Sequence, residues 1–152
     1  MATQPGARTR PPMTLPARPQ VPVSWGELLD KISILQIKQR RIADPTALAH
    51  VSAEHALLTA VAAPALARAE VMERFAQLTA VNETLWTVED AIRAEDAAGR
   101  FGPEFVRLAR AVYAENDRRA AIKRTLNDLL GSELVEEKSY WTADPARQTA
   151  AA

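Results

Sequence analysis

The chain has no cysteine. Disulfides, thiolate nucleophiles and cysteine-ligated metals are therefore excluded, a composition compatible with the cytoplasm. Only five glycines occur in 152 residues, and none builds a loop that cradles phosphate; Gly99-x-x-Gly102 reads as a turn. Aromatics make up 5% of the chain against 47% hydrophobic residues, so the core must be aliphatic and alanine-rich, as in helical bundles. Neither sign of charge dominates, because 19 Lys plus Arg cancel 19 Asp plus Glu. That balance leaves no broad basic face for nucleic acid and no polybasic patch for a membrane surface. No apolar run nears the ~18–20 residues of a membrane span, and the N-terminus lacks the apolar segment of a secretory signal. His50 and His55 are five apart, which turns them about 140° from each other on a helix. With no HExxH and no Glu-x-x-His pair, the chain offers no zinc or di-iron pattern, and no serine has a base at a recognisable spacing. These absences predict a soluble cytoplasmic protein with no metal and no cofactor.

What is present is helical. Residues 1–22 hold six of the ten prolines, with Arg8, Arg10 and Arg18 and no acid. Such a segment buries too little to offset its ordering entropy and reads as a disordered tail. Residues 23–141 form the predicted bundle domain, and 142–152 a second disordered tail. Ser24-Trp25-Gly26-Glu27 has the spacing of a capping box, with Val23 as staple, and opens a helix that runs to about Ala43. Its seam is Leu28, Ile32, Leu35 and Ile42, widened by Ile34 and Ile37. Asp44-Pro45 restarts the chain as cap and first helical residue. A second helix follows to Val61, with Leu48, Val51, Leu58 and Val61 inward, and Ala62-Ala63-Pro64 predicts a break or kink. The third and longest helix is expected over 65–98, with Leu78, Val81, Leu85, Val88 and Ile92 inside. Pro103 opens a fourth helix, with Phe105, Leu108, Val112, Ile122, Leu126 and Leu129 inside, and Gly131 ends it. The short turn between these two makes them antiparallel neighbours. No period-two pattern or internal repeat interrupts this reading. The fold predicted is an all-α antiparallel bundle of about four helices, built on a coiled-coil-like hairpin of helices 3 and 4. Residues 132–141 carry apolar side chains able to fold back over it.

Two polar stripes run beside these seams. Asn82, Trp86, Glu89 and Arg93 recur at four, three and four residues. Asn116, Lys123 and Asn127 recur at seven and four, with Asp117 and Arg119 beside them. Groups so placed are partly buried and must find partners or bind something. One reading is structural, a polar layer that fixes helix register. The other is a recognition strip, in which Arg93 holds an anion, Asn82 donates and accepts, and Trp86 stacks on a flat group. If both stripes face one groove, Arg93, Arg119 and Lys123 stand there against Glu89 and Asp117. The excess of cations favours an anion or a nearby acid such as Glu136 or Glu137. Glu27–Lys31 reads as an ordinary surface pair, with Lys31 or Lys38 as alternative members of the groove.

Three stretches carry a likeness: Ser24–Ile42 (SWGELLDKISILQIKQRRI), Val81–Arg93 (VNETLWTVEDAIR) and Val112–Tyr140 (VYAENDRRAAIKRTLNDLLGSELVEEKSY). Together they resemble a family of small, uncharacterised bacterial helical proteins, a domain of unknown function found near glycosyltransferase and lipopolysaccharide-type genes. The resemblance implies a helical fold and a link to surface-glycan assembly, and it assigns no catalytic residue. The expected function is a non-enzymatic interaction or accessory module that binds a protein partner or itself. The alternative is a small helical binding protein or enzyme acting on an anionic metabolite such as a sugar nucleotide.

Overall fold

A computed structural model describes residues 15–137. The tail expectations for 1–14 and 142–152, and the part of the expected 132–141 fold-back that falls on 138–141, lie outside the described residues; within 132–137, Leu134 and Val135 stay exposed. The order is α1 (Trp25–Arg41), α2 (Pro45–Leu66), α3 (Ala69–Ala97) and α4 (Pro103–Leu130), an all-α bundle.

Local chemistry sets most of the boundaries. Ser24 caps α1, its Oγ accepting from the Glu27 N–H at 3.2 Å. The reciprocal half of the capping box is not made, because the Glu27 carboxylate turns to Lys123 instead. The expected staple is not made either, since Val23 is 53% exposed. Asp44 caps α2 through a 2.7 Å bond from the Ala47 N–H, with Pro45 in the first turn. Gly99 and Gly131 adopt positive φ, 64° and 61°, where a side chain would be strained, and they close α3 and α4.

Pro64 corrects the expected break. The α2 helix runs through it to Leu66, and the interruption falls at Ala67-Arg68. A proline two residues from a helix end frees only the Ala60 carbonyl, and Ala60 is exposed to water. The α3 helix is correspondingly shorter than expected, about 44 Å at 1.5 Å per residue. Val61 is also displaced from the expected seam: it is exposed, while Ala62 and Ala65 are buried.

All four helices meet only at the end of the hairpin remote from its turn. There Leu29 and Ile32 of α1 and Ala62 of α2 pack with Val71, Phe75 and Leu78 of α3 and Leu126 of α4. The α1 helix lies against both long helices, and α2 packs mainly on α1. Beyond Arg41 the hairpin continues as two helices without a third.

Candidate functional site

The first turn of α1 leaves backbone N–H groups with no helical acceptor. Each of three finds a side chain. Trp25 donates to Ser132 Oγ at 3.2 Å, Gly26 to Asn127 Oδ1 at 2.7 Å, and Glu27 to Ser24 Oγ. Two of these acceptors come from the end of α4 and the turn after it, so helix start and helix end are locked together. Gly26 permits this approach. A Cβ there would lie 2.7 Å from the Lys123 carbonyl oxygen and 3.0 Å from Asn127 Oδ1.

One turn further along α1, a buried polar layer crosses three helices. Asn82 of α3 donates through Nδ2 to Asp30 Oδ1 and to Ser33 Oγ, both at 2.8 Å. Ser33 Oγ donates in turn to the Asp30 carbonyl at 2.7 Å. Asn82 Oδ1 accepts a long 3.5 Å contact from Arg119 Nη1. Lys123, 5% exposed, donates to Glu27 and to Glu136 Oε2 at 2.8 Å, with Asp30 Oδ2 at 3.9 Å. Burial works to lower the Lys123 pKa. The bonds to Glu136 and Glu27 and the charge of Asp30 outweigh it, so the ammonium is held above its ordinary range. A lysine so held stays protonated at neutral pH and makes a poor general base.

The layer reverses the charge balance expected from sequence. Three carboxylates, from Glu27, Asp30 and Glu136, face Lys123, so the anion is supplied by the protein. Glu136 is one of the two acids anticipated for this role. The expected Glu27–Lys31 pair is not formed: Glu27 serves Lys123, and Lys31 pairs with Glu54 at 2.7 Å.

The expected common cleft is therefore divided. Asn82, Arg119, Lys123 and Asn127 converge with α1. Trp86, Glu89, Arg93, Asn116 and Asp117 do not join them. Arg93 lies eleven residues, about 16 Å, beyond Asn82 along α3. Its side chain is 78% exposed, 3.8 Å from Glu89. Asn116 bonds back to the Val112 carbonyl at 2.9 Å. Asp117 is exposed, because a two-residue step from Arg119 turns it about 160° away. Trp86 is half-buried at the boundary, with the Arg41 guanidinium carbon 5.7 Å from its ring centre. Beside it Arg40 and Arg41 bond Glu83 and hold its carboxyl below the usual range.

The sequence reading missed the α1 contribution. Its signal was Gly26, Asp30 and Ser33 at four- and three-residue spacing, one non-apolar line beside Leu29 on the side away from Ile32. Ser132 carried no such signal, because its place depends on how the chain leaves Gly131.

Beyond the end of α1 the hairpin is thinly packed. Of residues 86–122 only Leu108 is buried. Trp86, Val88, Ile92, Phe105 and Val112 are half-covered, while Phe101, Val106 and Tyr113 are 60%, 48% and 59% exposed. On the side of the hairpin away from α1, an open groove of about 410 Å³ is lined by Ala80, Val81, Thr84, Ala121 and Ile122. None of the predicted site residues reaches it.

Among the described residues no group of three or more His, Asp or Glu is placed to hold a metal. No helix of the described residues is long and apolar enough to cross a membrane. No protein-family model matches the chain, and no curated protein or solved structure is significantly similar to it.

Proposed function

We propose that this chain is a non-enzymatic helical interaction module of the cytoplasm that binds a protein partner through the free half of the α3–α4 hairpin. One observation carries the reading: over residues 86–118 a single side chain is buried, while eight large apolar residues stay half-covered or exposed. Large apolar side chains that a fold leaves uncovered mark interaction sites where they gather into a patch. A groove between two helices, open where a third would lie, suits an added helix. The likeness of the three stretches to a bacterial family near glycosyltransferase genes supports an accessory role in surface-glycan assembly.

Site-specific photo-cross-linking in the source cell tests the module. A photoreactive residue in place of Val112 is expected to capture a partner, and one in place of Glu70, at the four-helix end, is not. Absence of any adduct from Val112 and from Phe105 at native expression overturns the reading. If the partner belongs to surface-glycan assembly, deletion of this chain lowers surface glycan. Unchanged glycan removes that context.

An anionic metabolite, such as a sugar nucleotide, is a second reading that Arg119 favours. Its Nε is buried without a hydrogen-bond partner, at the junction of the two halves. A ligand at 100 times its Kd stabilises the wild type by about 2.7 kcal/mol, and Arg119→Gln removes that shift. A panel of sugar nucleotides and phosphates that moves neither protein ends this alternative.

A further inference from the structure

The geometry points to a second copy of this chain as the occupant of the hairpin's free face, with α3 running antiparallel to the partner's α3. This inference rests on the hairpin reading above and names its partner.

Glu89 and Arg93 are four residues apart, so they share one side of α3 with Trp86. They are loosely engaged with each other, at 3.8 Å, with side chains 47% and 78% exposed. The other acid–arginine pairs of the hairpin are closed. Glu95–Arg100 and Glu104–Arg107 stand at 2.7 Å, and Glu115–Arg118 at 3.0 Å. Glu89 and Arg93 are thus the pair with charge left to offer, and they lie where the third helix ends.

An acid followed by a base reads as a base followed by an acid when the helix is reversed. A two-fold axis level with Ala91 therefore sets Glu89 against the partner's Arg93, and Arg93 against the partner's Glu89. That is the self-complementarity an isologous contact demands. It would need matching charges on an unrelated protein, whereas a second copy brings them by symmetry. The two hairpins then close as a four-helix bundle, with half-covered Ile92, Phe105 and Val112 turned inward.

Sedimentation of the full chain from micromolar to millimolar concentration, with charge reversals, tests the pairing. The wild type is expected to dimerise. Glu89→Arg and Arg93→Glu each set like charges together and raise the dimer Kd by about tenfold or more. Glu89→Arg/Arg93→Glu restores it. A mixture of the two single variants forms a heterodimer that neither forms alone. All these positions are on the surface, and circular dichroism checks that helix content is unchanged. A wild type that stays monomeric throughout overturns the inference. So does a dimer indifferent to both reversals, or one broken instead by Leu57→Glu on α2. Cross-linking separates this failure from that of the hairpin reading. An adduct between Val112 and an unrelated protein keeps the hairpin reading and refutes the second copy. A monomer with no adduct refutes both.

Discussion

The two halves of the hairpin are built from similar sequence and meet different fates. In the half covered by α1, the polar side chains of both stripes are buried and bonded across three helices. In the free half, Glu89, Arg93 and Asn116 bond only within their own helix, and Asp117 faces water. Asn82 and Arg93 show the contrast. Both lie on the same side of α3, yet one is 4% exposed and fixed by two 2.8 Å bonds, while the other has a side chain 78% exposed. A polar stripe does not announce its role by its spacing. Whether a third helix covers it decides whether it becomes a register-setting layer or a surface.

The contrast breaks most sharply at Lys123. Lys123→Met takes the buried ammonium away from the carboxylates of Glu27, Asp30 and Glu136. Removing one partner from a buried ion pair costs about 3–5 kcal/mol. Here Glu27 and Glu136 reach water, with side chains 43% and 40% exposed, so a loss of about 3 kcal/mol is expected from urea unfolding. Gly26→Ala is expected to follow at about 2 kcal/mol, from overpacking against the Lys123 carbonyl and strain in the Gly26–Asn127 bond. A loss below about 0.5 kcal/mol in both would show that the junction of α1 and α4 is not tightly specified.

The helices were legible because their signals are local. Ser24, Asp44, Gly99 and Gly131 act through their own turns, and apolar periodicity gave the buried positions Leu78, Val81, Leu85, Leu108 and Leu126. Val88, Ile92, Phe105, Val112 and Leu129, expected inside by the same rule, are only half-covered. Pro64 misled because its effect depends on distance to the helix end, a quantity the sequence leaves open by a turn. The site was half legible. Asn82, Lys123 and Asn127 stood out as polar residues beside a seam. Their partners Asp30 and Ser33 became visible only once α1 was placed along the hairpin. Arg93 and Asp117 were grouped with them because helical spacing gives the side of a helix but not how far along it the cover extends.

The ammonium of Lys123 gives the next test, at alkaline pH. Its pKa is raised in the folded chain, so the group binds its proton more tightly there than in the unfolded chain. The stability it contributes is fully present below the unfolded value, 10.5, and is lost as pH rises through the folded one. Wild type is expected to lose stability more steeply than Lys123→Met above pH 10.5. Parallel curves would mean that the bonds to Glu27 and Glu136 do not outweigh burial.

The smallest effects belong to the free half. Arg93→Ala removes a side chain whose one ion pair is loose and exposed, and such pairs contribute about 0–1 kcal/mol. Asp117→Ala removes an exposed carboxylate. Each is expected to change stability by less than about 0.5 kcal/mol in dilute solution, where chains are single. Hydrogen exchange sharpens the same point. Amides of 87–112 should exchange through local opening, well before those of 71–82, because only Leu108 anchors the free half. The difference should shrink as protein concentration rises and the face becomes covered. Uniform protection along α3 in dilute solution would mean that two helices suffice to hold the free half, and that its uncovered face carries no energetic demand for a partner.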